Sequence, residues 1–184
     1  MRVITLTPEK FTEACRALQS RVEEHFMPDA VVGIARGGVI VAENMFPLTP
    51  HAELSRQRPS TASKSRIPDF LLRMMPRALL DILRMAESLW LNRKKALPLA
   101  DLSEISIPEG LEGRKRILVT DDAVDSGATL DAVIRALSSA LPEAEIRSAA
   151  ITVTTRHPLT RPDVALFDNQ TLIRFPWSKD YRNR

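Results

Sequence analysis

Cysteine is nearly absent from this chain, with Cys15 the single one among 184 residues. A framework of internal disulfides is therefore excluded, and a reducing compartment is the expected setting. Cys15 shares helical spacing with Phe11, Leu18 and Val22, which marks it as a packing residue. Aromatic side chains are scarce too: six Phe, two Trp and one Tyr. They are not interleaved with basic residues as in a stacking platform, so no nucleic-acid partner is expected. No apolar run is long enough to span a bilayer, and MRVITLTPEKF lacks the apolar core and cleavage site of a secretory signal. A cytoplasmic protein is the expectation. A strong excess of one charge is also missing, the formal net charge being +3 with an isoelectric point near 9.3. Such mild basicity suits small polyanions and does not by itself argue for nucleic acid. The length predicts one domain, 1–184, with a substantial core and room for an embellishment.

What is present centres on residues 117–130. The apolar run Ile117-Leu118-Val119 leads into Thr120, two adjacent carboxylates, Asp121 and Asp122, then a third, Asp125, and the small-residue turn Ser126-Gly127-Ala128-Thr129. The turn opens an apolar-patterned segment, so it sits at a helix N-terminus. There, backbone N–H groups and the hydroxyls of Ser126 and Thr129 converge as a phosphate requires. Asp121 and Asp122, at the C-terminal end of a strand, are placed to accept from the two hydroxyls of a ribose. One ligand carrying both groups, a sugar phosphate, accounts for the whole string.

This string resembles the phosphoribosyl-diphosphate (PRPP) motif of type I phosphoribosyltransferases, most of all the bacterial purine members that act on hypoxanthine, guanine or xanthine. The resemblance implies that Asp121 and Asp122 hold the ribose hydroxyls and that Ser126, Gly127, Ala128 and Thr129 cradle the 5′-phosphate. It also implies that Asp125, near the purine N7, is the catalytic general acid/base. Upstream, Ala30-Val31-Val32-Gly33-Ile34 reads as a buried strand of a parallel sheet. It runs into the turn Ala35-Arg36-Gly37-Gly38-Val39, and a helix resumes over Ile40 to Met45. Strand, glycine turn and helix form a second anion-binding geometry. It resembles the family's pyrophosphate loop, which puts Arg36, Gly37 and Gly38 on the diphosphate. A third strand is expected over His51 to Arg56. The polar stretch after it, with Arg56, Arg58 and Lys64, stands where the family carries a flexible loop that closes over PRPP.

The remaining chain fills in the domain. Thr7-Pro8-Glu9 is a capped helix start, and Phe11, Ala14, Leu18, Val22 and Phe26 give that helix one inward face, with Pro28-Asp29 ending it. Residues 67–95 form an amphipathic helical insertion that the family pattern does not contain; packing on the core or on a dimer mate, a lid, and a partner- or membrane-surface helix are the alternatives. Leu130, Val133, Ile134 and Leu137 face inward from the helix after the phosphate turn, and Ala149 to Thr154 reads as the next strand. At Thr155 many 6-oxopurine members have a lysine that donates to the purine O6; Arg156, the neighbouring cation, points to the opposite face of an extended strand. Residues 159–184 resemble the family's C-terminal hood. By that match Ile173 packs on the base and the backbone of Arg174 reads its exocyclic groups. Trp177 is a hood-packing aromatic or a ligand stacker. Asp180, with Asp121 and Asp122, stands where related enzymes hold Mg²⁺ indirectly, unless it belongs to a solvated tail.

The expected fold is α/β, a type I phosphoribosyltransferase-like parallel sheet flanked by helices, with a small hood and a helical insertion. The expected activity is transfer of ribose 5-phosphate from PRPP to a purine-like base with release of pyrophosphate, Mg²⁺ as cofactor and a homodimer as the assembly. The alternatives are a PRPP- or nucleotide-binding regulatory protein without base transfer, and a related enzyme of an orphan pathway with an unusual acceptor.

Overall fold

The computed structural model describes residues 2–54, 105–168, 171–178 and 181. The basic loop with Arg56, Arg58 and Lys64, the insertion at 67–95 and Asp180 lie outside the described residues. Among the described residues ten elements follow in order: β1 (Arg2–Thr5), α1 (Pro8–Glu23), β2 (Ala30–Ile34), α2 (Ala35–Met45), β3 (His51–Leu54), β4 (Arg116–Val124), α3 (Ala128–Ala140), β5 (Glu145–Val153), β6 (Val164–Phe167) and β7 (Thr171–Arg174). Five strands form one sheet in the order β3-β2-β4-β5-β6, and β1 pairs with β7 in a second, two-stranded sheet. Every pairing is parallel, so the α/β expectation holds.

Both faces of the large sheet are covered, which explains why β2 is buried along its whole length. Successive strand residues point to opposite faces. Val31, Leu118 and Ile151 meet α1, α2 and the hood residues Ile173 and Phe175. Val32, Ile117 and Val119 meet α3 through Leu130, Val133 and Leu137, together with Ile105 and Leu111. Each such fully buried Leu, Ile or Val contributes about 1.5–3 kcal/mol relative to exposure. Cys15 belongs to the first of these cores, and burial pushes its thiol up to about 12, leaving it inert.

The predicted cap of α1 is present, with the Thr7 hydroxyl accepting from Lys10 N–H at 3.3 Å. The helix ends at Glu23, ahead of the expected stop at Pro28-Asp29. Phe26 N–H still bonds Val22 O at 2.8 Å, and that last turn buries Phe26. Asp29 ties two strands together instead. Its carboxylate accepts from the N–H groups of Lys115 and Arg116 at 3.1 and 3.0 Å, fastening the start of β4 beside β2.

The strand order sets the position of the site. From β2 the chain goes one way to β3 through α2, and from β4 it goes the other way to β5 through α3. Right-handed crossovers then put α2 and α3 on opposite faces. Their N-termini part at the carboxyl ends of β2 and β4, and open α/β sheets bind ligands in the crevice at such a reversal.

Candidate functional site

The first wall of the crevice is the β2–α2 junction. No loop separates the two elements: the helix begins at Ala35, so Arg36, Gly37 and Gly38 lie in its first turn. The expected helix start at Ile40 is corrected by five residues. The abrupt reversal is absorbed at Ala35, whose φ of 47° lies in the left-handed region, a costly conformation for a residue with a Cβ. The N-cap residue Ile34 offers no side chain to the first-turn N–H groups, which leaves that turn polarised toward an anion. Arg36 is exposed beside it.

Gly37 and Gly38 serve close approach. A Cβ on Gly38 would fall inside the carbonyl oxygen of Thr120, and one on Gly37 would fall inside the carboxylate of Asp122. The Thr120 hydroxyl, fully buried, donates to Gly38 O at 2.9 Å. Thus the first turn of α2 is pressed directly onto β4, next to the acid pair.

The second wall is β4 and the turn after it. β4 runs on to Val124, so Asp121 and Asp122 lie within the strand and not at its end. Asp121 Oδ1 accepts from Asp122 N–H at 2.9 Å. Asp121 is held well above the usual carboxylate range by burial first and then by the neighbouring Asp122. Burial raises Asp122 as well, opposed by hydrogen bonds from Asp121 and from the indole N–H of Trp177. Both acids thus bind a proton more readily than a free carboxylate, Asp121 the more strongly.

The turn itself is shaped by Gly127, with φ 74°. A side chain there would collide with the backbone of Thr160. A left-handed residue at a helix start turns successive N–H groups toward one concavity. Ser126 Oγ accepts from Ala128 N–H at 3.4 Å, and Asp131 N–H closes the first α3 turn on Gly127 O at 2.9 Å. Thr129 follows as the second residue of α3, half-buried.

The segment after β5 covers this turn. Leu159 N–H bonds Ser126 O at 2.7 Å and the Thr160 hydroxyl bonds Asp131 at 2.9 Å. Thr154 Oγ1 donates to Asp125 Oδ1 at 2.5 Å, and Thr155 Oγ1 donates to Asp125 O at 3.2 Å. Thr155 is buried and Arg156 exposed, as expected, although the chain bends there after β5 and Thr154 is buried as well.

From the hood, Phe175 stacks on Trp177 at 5.0 Å between centroids, and Phe11 of α1 meets Trp177 edge-on at 4.9 Å. Trp177 is thus the hood-packing aromatic of the two alternatives, and its indole also bears on Asp122. Ile173 is buried in the core on the α1 side. Arg174 is buried, its guanidinium donates to Thr5 Oγ1 at 2.9 Å, and its carbonyl accepts from Leu6 N–H at 3.0 Å.

The structure thus brings Gly37 and Gly38 against the strand that carries Asp121 and Asp122, and Thr155 against Asp125, at the carboxyl ends of β2 and β4. Sequence reasoning passed over Thr154, Thr160 and Trp177 as partners of the acids. Two threonines in succession where a β-strand meets an acidic turn were the available signal, since buried hydroxyls need acceptors.

Comparison with known proteins agrees with this architecture. The family model for the phosphoribosyl transferase domain matches residues 5–181, and this chain belongs to that family. It is a PRPP-dependent glycosyltransferase. Among solved structures, it is similar to a xanthine-guanine-hypoxanthine phosphoribosyltransferase of Helicobacter pylori at 22% identity, covering 96% of this chain and 94% of that one, with a TM-score of 0.65. A purine phosphoribosyltransferase of Pyrococcus horikoshii is 20% identical over 100% of this chain and 99% of its own, at 0.61. A Neisseria gonorrhoeae protein solved with bound ppGpp is 17% identical over 96% and 89%, at 0.59. These likenesses carry the fold. Among the described residues no helix is long and apolar enough to cross a membrane, and no group of three or more His, Cys, Asp or Glu is arranged to hold a metal.

Proposed function

We propose that this enzyme moves ribose 5-phosphate from PRPP onto a ring nitrogen of a purine-type base. The observation that carries the reading is the contact of the first turn of α2 with the acid pair of β4 through Gly37 and Asp122, the strand that runs on into the 126–129 turn. A single crevice therefore offers a diphosphate site, an acid pair and a monophosphate site side by side, the three polar features of PRPP. In this reading Arg36, Gly37 and Gly38 take the pyrophosphate, and Asp121 and Asp122 take the ribose hydroxyls. Ser126, Gly127, Ala128 and Thr129 take the 5′-phosphate. Ile173, Arg174 and Thr155 border the base. The Arg174 carbonyl already accepts from Leu6, and a carbonyl has a second lone pair for a base N–H. Arg56, Arg58 and Lys64 supply the loop that closes over the bound ligands.

Asp121 and Asp122 offer hard oxygen donors whose raised proton affinities a divalent cation would reverse, so the residues fit Mg²⁺ bound chiefly by substrate oxygens. When bound, Mg²⁺ supplies positive charge to the departing pyrophosphate; Asp180 is the further acid proposed to approach it. In the transfer, the bond from the sugar C1 to pyrophosphate breaks with its electron pair on pyrophosphate. A ring nitrogen of the base bonds to C1 with its lone pair, and the proton lost from N7 passes to Asp125. Arg36 and the α2 N-terminus stabilise the departing charge. A homodimer in the cytoplasm, serving purine salvage, completes the proposal.

The test is pyrophosphate release with Mg²⁺, PRPP and a panel of hypoxanthine, guanine, xanthine, adenine and pyrimidines. Turnover with a purine is the expected result. PRPP binding without turnover on any purine overturns the assignment of the acceptor.

A further inference from the structure

Asp125 sits on an exposed turn, where a carboxylate ordinarily rotates about two side-chain bonds. Here it is held by the two residues that follow β5. Thr154 Oγ1 donates to its Oδ1 at 2.5 Å, Thr155 Oγ1 donates to its backbone carbonyl at 3.2 Å, and Thr154 N–H donates to the carbonyl of Val124 at 3.0 Å. Thr154 is itself buried, with 8% of its surface exposed. A hydrogen bond from a buried hydroxyl is strengthened by the low local dielectric, and β-branching restricts the threonine to few rotamers. The donor is therefore stiffer than the group it holds. With Oδ1 taken by Thr154, Oδ2 is the oxygen of this exposed residue left to accept a proton.

We infer that Thr154 is a positioning residue for the transfer reaction: it fixes the Asp125 carboxylate so that Oδ2 receives the proton of the acceptor base. This rests on the reading of Asp125 as the base in the reaction proposed above. As one ring nitrogen of the base bonds to C1 with its lone pair, pyrophosphate leaves with the C1–O pair; the proton on N7 passes to Oδ2, and the N7–H electron pair returns to the ring. Thr154 keeps its own proton throughout, donated to Oδ1. Its contribution is orientation, so removal of the hydroxyl should slow the chemical step and leave PRPP binding alone.

The experiment compares wild type, Thr154→Val, Thr154→Ser, Thr154→Ala and Asp125→Asn in the full chain, using the base from the panel that gives most pyrophosphate. Thr154→Val is expected to lower kcat by about ten- to a hundredfold, the cost of misplacing a reacting group. Its KM for PRPP should stay within about twofold of wild type, as expected when only transition-state interactions are lost. Thr154→Ser, which restores the donor, should return kcat to within about threefold of wild type. Thr154→Ala carries the same expectation as the valine variant should the latter fail to fold. A valine or alanine variant with wild-type kcat, an equal effect on kcat and KM, or no rescue by serine overturns the role of Thr154. If those outcomes occur while Asp125→Asn still abolishes turnover, the positioning role alone falls. If Asp125→Asn turns over normally, or no base supports turnover, Asp125 is not the base and both assignments fall.

Discussion

The two anion-type turns reach similar ends by opposite means. At the β2–α2 junction the chain has no loop: the reversal falls on Ala35 at positive φ, and glycines let the helix lie against β4. At the β4–α3 junction the turn is longer, the left-handed position is a glycine, and the segment from Thr154 to Thr160 is hydrogen-bonded around it. The first turn is shaped by what it presses upon, the second by what is wrapped over it. They also differ in independence. Gly37 and Gly38 lean on Asp122 and Thr120, so the first turn of α2 inherits its geometry from the strand that carries the acids.

Substitutions at the contacts between the turns can break this comparison, and the largest effect is expected at Gly38. Its new methyl group in Gly38→Ala meets backbone at Thr120, which cannot move without displacing β4. A loss of about 3 kcal/mol or more follows, read as a lowered midpoint in denaturant. Gly37→Ala meets a side chain instead, the carboxylate of Asp122, which can rotate away. It should fold and show a raised KM for PRPP; equal destabilisation of the two variants would show that the first turn does not depend on what it touches.

Asp121→Asn separates stability from binding. Burial and Asp122 raise the proton affinity of Asp121 in the folded chain, whereas the unfolded chain ionises at about pH 3.9. As pH rises past that value the unfolded chain releases its proton first, so the unfolded state gains and wild-type stability falls until the folded group also ionises. The asparagine variant should therefore have a higher Tm than wild type at neutral pH, a difference that vanishes in acid below the unfolded value. Its PRPP affinity should drop by about tenfold or more, the worth of hydrogen bonds to a charged group. For the wild type, affinity should fall as pH drops from neutral into the acid range, because protonation of the pair competes with ribose hydroxyls and Mg²⁺. A flat Tm difference across pH would remove the burial argument.

Ala35→Gly probes the strained turn. Relief of the positive φ should stabilise the protein by about 1 kcal/mol, or about 3 °C in Tm for a chain of this size. The smallest effect is expected from Trp177→Phe. Stacking on Phe175 is kept and the hydrogen bond to Asp122 is lost, so the proton affinity of Asp122 rises further. PRPP affinity should shift its midpoint to higher pH while Tm moves little; an unchanged pH profile would reduce Trp177 to packing.

Much of the fold was legible in the chain. The cap at Thr7, the inward face from Phe11 to Val22 and the strand Ala30–Ile34 were readable because burial on one or both sides forces apolar periodicity. Boundaries were less so. Ile40 marked the helix start because glycines ordinarily break helices, yet Gly37 and Gly38 lie inside α2, where contact with β4 compensates for their weak propensity. The end of β4 was placed at the acids because charge suggests exposure, whereas pairing with β5 carries the strand on to Val124.

Residue type and spacing alone pointed to a parallel sheet and to a turn suited to a phosphate, and the motif's resemblance pointed to the family that the family model then matched. Those follow from local chemistry: carboxylates, small residues and β-branched runs mean the same thing wherever the chain goes. Tertiary structure decided which groups hold the acids. Trp177 reaches Asp122 across 55 positions, and Thr154 reaches Asp125 across 29. Hydrogen bonds at that separation depend on strand order and packing, which no local pattern encodes.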